Sequence, residues 1–291
     1  MDRSSGGMAG EEQGHPAREE EKGEGGPRQR GHRAETITPP ATGRLWSILG
    51  TAVHMIRALT FDVTGTLIHS PRLGALYAEV LGRHGIEVDP REAGRIVREV
   101  WQELACLSDP GRDRFTAHPA GPRGWWKRFL ERFCEHLEAP APSPFAAAEL
   151  YHRFATPEAW EVYSEVPEVL ARLRGAGLRL GVVSNWDPRL PDLLERLDLA
   201  RFFDAIVYSS AVGVEKPDRR IFLHAVGRLR VPAGSALHIG DGRLEDVEGA
   251  LGAGLRALHL DRLRGAGDLR DLSRLPVLLA AGRVETRPGM C

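Results

Sequence analysis

A few positions in this chain carry the means for covalent chemistry. Asp62 follows the run IRALTF. Ser184 and Asn185 close LRLGVVSN, and Asp241 closes SALHIGD, with Asp246 five residues further on. Lys216 lies in VGVEKPD, just beyond the run AIVYSS. A carboxylate can attack an electrophile and carry it as a covalent intermediate. A lysine and a hydroxyl beside it can hold anionic oxygens through charge-assisted hydrogen bonds. Three carboxylates gathered at one point repel an anionic substrate unless a cation lies among them, and magnesium prefers carboxylates, carbonyls and water. Gly65, shortly after Asp62, allows a tight turn that brings backbone amides near a bound anion. Taken singly, Asp241 or Asp246 reads as a helix cap and Lys216 as a surface lysine. Taken together they read as one site.

Residues so far apart meet only if the fold gathers them. The runs at 178–185, 205–210, 235–241 and 255–261, with IRALTF before them, read as buried strands. Between them VPEVLARLRGAG, LPDLLERLDL and DRRIFLHAVGRLRV have helical spacing, the first ending on Gly as a C-cap does. Alternating strands and helices predict an α/β fold, a doubly wound parallel sheet covered on both faces. Sites in such sheets gather at the carboxyl ends of the strands. Residues 71–159 are different. GALYAEVLGRHG, PREAGRIVREVWQELACL, GPRGWWKRFLERFCEHL and SPFAAAELYHRFA all read as helices, too much chain for one crossover. They predict an all-helical domain inserted into an α/β core formed by 55–70 and 160–282. Pro140, Pro142 and Pro144 mark the link before its last helix. Trp125 and Trp126 are expected to pack, with the option that one faces a cleft.

Bulk properties narrow the classes. The chain has 291 residues, 42% of them hydrophobic, enough for a real core. Its formal net charge of -1 gives no overall field toward nucleic acid or an anionic membrane. Cys106, Cys134 and Cys291 are far apart, which argues for reduced thiols and against a disulfide framework or zinc site. None has a recognisable His partner that would make it a nucleophile. Residues 1–54 are rich in Gly, Glu and Arg and are expected to be a disordered extension, with 283–291 a frayed tail. Met55 stands just before the first strand and offers an alternative start. The early run LWSILGTAVHM is too short to span a bilayer. A cytoplasmic, monomeric protein is expected, with no nucleic-acid or membrane partner.

FDVTGTL, VVSN, EKPD and GDGRLEDV, in that order and each at a strand end, resemble the four motifs of the haloacid dehalogenase (HAD) superfamily of hydrolases. The helical insert is similar to that superfamily's cap domain, and the resemblance spans about residues 56–262. It implies a Rossmann-like core and a small phosphorylated substrate. Asp62 would attack phosphorus to form an aspartyl-phosphate. Lys216 would pair with Asp62 and the phosphoryl oxygens, and Ser184 would donate to them. Mg2+ would be held by Asp62, the Thr64 backbone carbonyl, Asp241 and Asp246. Thr64, Gly65 and Asn185 would contact substrate.

The resemblance also exposes a departure. Phosphatases of the superfamily carry Asp at the position of Thr64, where it protonates the leaving group and then activates water. Threonine cannot do this near neutral pH, and such catalysis is worth ~10²–10⁴-fold. The enzyme is then slow, or favours good leaving groups such as acyl or aryl phosphates, or borrows an acid from the cap (Glu79 and His84 are candidates), or has kept the fold only for binding. The superfamily's 2-haloacid dehalogenases also lack that acid, attack carbon and need no metal. The retained Asp241 and Asp246 favour a metal and therefore phosphate. Asn185, Trp186 and Arg123 are candidate pocket residues. His69, His118 and His238 read as structural or surface groups, His238 inside the fourth strand.

Overall fold

The computed structural model describes residues 56–281 apart from Ser108 and Pro110. The expectations for 1–54, for Cys291 and for the tail 283–291 lie outside the described residues. Strand β1 (Ala58–Phe61) is buried on both faces, as the apolar run IRALTF requires. The chain then makes the short strand β2 (Ile68–His69) and enters five helices: α1 (Leu73–Arg83), α2 (Pro90–Cys106), α3 (Arg114–Ala117), α4 (Gly121–His136) and α5 (Pro144–Arg153). It returns through β3 (Glu161–Val162), which pairs antiparallel with β2. The rest alternates: α6 (Val166–Gly175), β4 (Arg179–Ser184), α7 (Leu190–Arg196), β5 (Ala205–Tyr208), α8 (Ser209–Val212), α9 (Arg219–Leu229), β6 (Ala236–Gly240), α10 (Gly249–Gly252), β7 (Arg256–His259) and α11 (Leu275–Ala280).

The main sheet has the order β5-β4-β1-β6-β7, and every neighbouring pair is parallel. The order reverses at β1, so the crevice at the carboxyl ends of β4, β1 and β6 is where a doubly wound sheet binds ligands. Phe61 pairs with Val182 on one side and Ile239 on the other, which brings the ends of these three strands level. One apolar cluster, including Leu59, Phe61, Leu170, Val182 and Leu193, covers one face of the sheet. Another, including Val183, Ile221, Phe222 and Leu229, covers the other.

The helical insert has an apolar cluster of its own, built on Tyr77, Ile96, Phe115, Trp125, Phe129 and Phe133. Its helices start where the sequence stops them from starting earlier. Asp89 caps α2 by accepting from the amides of Arg91 and Glu92, and Ser143 caps α5 by accepting from that of Ala146. A proline follows each cap. The short α3 and the β2–β3 ribbon were not expected from the sequence. Cys134 lies in the insert's cluster, where burial pushes its thiol up to about 11, as suits a packing residue. No helix among the described residues is long and apolar enough to cross a membrane.

Candidate active site

Asp62 is the first residue beyond β1, and its amide donates to the Ile239 carbonyl at 2.9 Å, which ties it to the end of β6. Ser184 ends β4 and donates its hydroxyl to Asp62 Oδ1 at 3.1 Å. Lys216 reaches the same oxygen at 2.5 Å and Asp246 Oδ1 at 2.6 Å. Both side-chain donors to Asp62 therefore fall on Oδ1. Among the described residues no side chain donates to Oδ2. Lys216 is fixed from behind by Asn185, whose side-chain oxygen accepts from the Lys216 amide (2.6 Å) and whose amide donates to the Lys216 carbonyl (3.0 Å).

Asp246 stands in a π-helical turn, Arg243–Glu248, of the kind often found at functional sites. Its Oδ1 also receives His238 Nε2 at 3.1 Å, and its Oδ2 accepts from the Gly242 amide at 2.8 Å. His238 is fully buried within β6, with its other ring nitrogen 2.9 Å from Thr60 Oγ1. The sequence reading of His238 as a structural group holds, with the addition that it orients Asp246.

The charges are coupled. Burial works against the Lys216 ammonium, but Asp246 and Asp62 outweigh it and hold its pKa above the ordinary value. Burial also raises Asp246, and Lys216 and His238 more than reverse this, so it stays ionised. Asp62 is raised by its burial in spite of Lys216, with Asp246 adding to the rise. Asp241 is the exposed member of the group. Desolvation of its carboxyl, then the charges of Asp62 and Asp246, push it up to about 7. Oxygens of Asp62, Asp241 and Asp246 lie within 4.8 Å of one another. Three carboxylates against one ammonium leave an excess of two negative charges when all are ionised.

These residues fit a magnesium ion. The donor set is all oxygen and the charge excess matches a divalent cation. The loop after Asp62 agrees: the Val63 carbonyl accepts three turn amides, and Arg262 donates to the Gly65 and Thr66 carbonyls. Among the described residues no donor reaches the Thr64 carbonyl between them, so it is free to act as a ligand. Gly65 has φ +80°, and a Cβ there would stand 2.2 Å from Asp241 Oδ2. Only glycine lets the turn and the acid share this space.

Asp62, Thr64, Ser184, Asn185, Lys216, Asp241 and Asp246 all line one cavity of about 460 Å³ between the sheet end and the insert. Trp186 lines it too, and so does Trp126, the member of its pair that faces the cleft. Arg123 is not among the lining residues; it lies over the Tyr151 ring. Neither acid candidate reaches the cavity: Glu79 pairs with Arg72 and Arg153, and His84 with Glu149 and Ser143. His69 stacks on Tyr163, and His118 accepts from the Ala120 amide, both structural. Sequence reasoning missed Glu245, a lining carboxylate with no hydrogen bond or ion pair among the described residues. It also missed the buried pair Asp187–Arg189, which Trp126 joins by donating its indole N–H to Asp187 at 2.7 Å.

Comparison with known proteins bears on the family. The family model of haloacid dehalogenase-like hydrolases matches residues 56–254. The chain is 35% identical over 208 residues to haloacid dehalogenase-like hydrolase domain-containing protein 3 of Homo sapiens, covering 69% of this chain and 80% of that one. It is 30% identical over 216 residues to a glyceraldehyde 3-phosphate phosphatase of Methanopyrus kandleri, covering 72% and 85%. Among solved structures, a 2-haloacid dehalogenase from Pseudomonas syringae pv. tomato superposes with a TM-score of 0.53 at 26% identity, over 78% of this chain and 99% of that one.

Proposed function

The chain belongs to the haloacid dehalogenase-like hydrolases, and from that premise we propose that it hydrolyses a small phosphorylated molecule, with magnesium, through an aspartyl-phosphate on Asp62. The observation that carries the reading is the loading of Asp62. Lys216 and Ser184 both donate to Oδ1, which fixes the carboxylate and leaves Oδ2 for attack. Asp62 Oδ2 forms the bond to phosphorus as the ester oxygen leaves. Lys216 offsets the charge of the phosphoryl oxygens and Ser184 donates a hydrogen bond to them, and water then releases phosphate and restores the carboxylate. Asp62, Asp241 and the Thr64 carbonyl would hold the magnesium, with the remaining lone pair of Asp246 Oδ2 beside them. The bound ion would draw charge from the phosphoryl oxygens and offset the excess of carboxylates. The helical insert would serve as a cap domain over the cavity. We take the protein to act in the cytoplasm as a monomer, without nucleic-acid or membrane partners.

A second reading, metal-free dehalogenation, draws on Thr64 and on the likeness to the Pseudomonas dehalogenase. Against it, the Asp62–Asp241–Asp246 group carries two acids that a metal-free attack on carbon does not use.

Phosphate release from p-nitrophenyl phosphate and acetyl phosphate, with magnesium or EDTA, tests the choice. We expect turnover that needs magnesium and falls to background in Asp62→Asn. Thr64→Asp should then raise turnover of alkyl phosphates, by up to ~10²–10⁴-fold if the new acid is well placed. Halide release from 2-chloropropionate in EDTA, without phosphate release, would select the dehalogenase.

A further inference from the structure

The cavity is most polar at the sheet end and mostly apolar elsewhere, with Arg98 and Gln102 of α2 among its few other polar residues. Asp62, Ser184, Lys216, Asp241 and Asp246 form its floor at the sheet, and the insert, with Trp160 and Trp186 of the core, supplies walls of a different character. Trp101, Phe115, Trp126, Phe129, Trp160 and Trp186 all line it. Several pack tilted against one another: Trp101 on Trp126 at 6.1 Å, Trp126 on Phe129 at 5.5 Å, Trp160 on Trp186 at 5.3 Å.

Several polar groups of this wall are used within the protein, while Arg98 and Gln102 of α2 and Glu245 line the cavity without a side-chain partner among the described residues. Trp126 donates to Asp187, and Trp160 to the Phe154 carbonyl. Arg189 is paired with Asp187 and donates to the Tyr151 carbonyl, and Arg114 is paired with Glu215. A sugar or polyol in this space would leave those of its hydroxyls that face the rings without partners, which is costly. A flat apolar ring would instead meet the faces and edges it packs best against. The volume, about 460 Å³, falls in the range of pockets that enclose a ring-sized ligand and is large for a two- or three-carbon phosphate.

The position of Thr64 in the same cavity points the same way. Without an acid there, the leaving oxygen departs as an anion. A phenolic oxygen, with a pKa near 10, tolerates this far better than an alkyl alcohol.

We propose that the substrate is the phosphate ester of a planar aromatic alcohol, its phosphate on Asp62 and Lys216 and its ring against the Trp101–Trp126 wall. The proposal rests on the phosphohydrolase reading above and narrows it. In the reaction the bond from Asp62 to phosphorus forms while the phosphorus–aryl oxygen bond breaks. The aryloxide leaves with the electron pair and takes a proton from solvent. Water then adds its oxygen to phosphorus, the Asp62 carboxylate leaves, and the products are the phenol and inorganic phosphate.

The test compares acetyl, phenyl, 1-naphthyl and glycerol phosphates on the full chain with magnesium, using Asp62→Asn as background. Leaving-group ability alone puts acetyl phosphate first, since a carboxylate leaves more easily than a phenolate. The wall puts 1-naphthyl ahead of phenyl and both ahead of acetyl and glycerol phosphates. We expect kcat/KM for 1-naphthyl phosphate to exceed that for acetyl phosphate by about tenfold or more, mostly through KM. In Trp101→Leu the naphthyl-to-acetyl ratio should fall at least fivefold, and in Trp101→Phe it should largely recover. Trp101 is partly exposed, and far-UV CD checks that both variants fold. If acetyl or glycerol phosphate is turned over as well as 1-naphthyl phosphate, the aryl proposal is wrong and the phosphatase reading survives. If no ester is turned over above the Asp62→Asn background, both are wrong.

Discussion

Asp241 sits at the wet edge of the acid cluster, and its carboxyl is pushed up to about 7 by desolvation and by the facing charges of Asp62 and Asp246. The sign matters for metal binding. Below that value Asp241 holds a proton and offers a neutral oxygen; above it the proton is gone and the full negative charge would face the proposed magnesium. Proton and cation should then compete near neutrality, and affinity should strengthen as pH rises. One pH unit below its pKa a carboxyl is about one-tenth ionised, so magnesium should bind about tenfold more weakly at pH 6 than at pH 8. Calorimetric titration measures this directly, and the magnesium-induced rise in Tm should shrink in step. Equal affinities at the two pH values would remove Asp241 from the ligand set. At this scale the sequence was readable where a polar residue ended an apolar run, as Asp62, Ser184 and Asp241 do. Glu245 and Arg189 have no such mark. Their letters match those of any solvated charge, and only the folded backbone shows that they face the cavity.

The turn after β1 is the element on which the site depends most. Gly65 takes a left-handed conformation, and Asp241 Oδ2 occupies the space a side chain would need. Gly65→Ala should cost about 1–2 kcal/mol of backbone strain. It should also push Asp241 away from Asp62, so that the magnesium-dependent rise in Tm disappears while far-UV CD is retained. A variant that keeps its full magnesium response would show that Asp241 has room to move. The five parallel strands could be anticipated because each is a run of four to six residues, buried or half-buried apart from Arg179, bounded by turn signals. The two-residue strands β2 and β3 and the four-residue α3 are too short to repeat a period, so no pattern announces them. The π-helical turn is hidden for another reason. GDGRLEDV fits an ordinary helix start, and the widened turn depends on the Asp246 and Val247 amides both bonding the Gly242 carbonyl.

Across the whole molecule, buried polar ties join the helical insert to the α/β core. In one, Trp126 and the Tyr151 carbonyl meet Asp187 and Arg189. In another, Arg114 of α3 donates to Glu215, next to Lys216, at 2.6 and 3.1 Å. The Arg114 and Glu215 side chains are only 8% and 2% exposed. Burial raises the Glu215 pKa even though Arg114 pulls it down, so the pair does not fully recover its desolvation. Such a pair adds little net stability compared with an apolar pair of similar size, yet breaking it from one side strands a buried charge. Arg114→Ala should therefore destabilise the protein by about 3–5 kcal/mol in urea unfolding. The double variant Arg114→Met/Glu215→Leu should recover most of that loss. If both unfold at the same urea concentration, the Arg114 effect comes from lost packing against Trp101 and Trp125, which its guanidinium overlies, and not from the unpaired Glu215. Activity separates the two roles further. Glu215 adjoins the lysine that loads Asp62, so the stable double variant should still lose turnover if this tie also holds Lys216 in place.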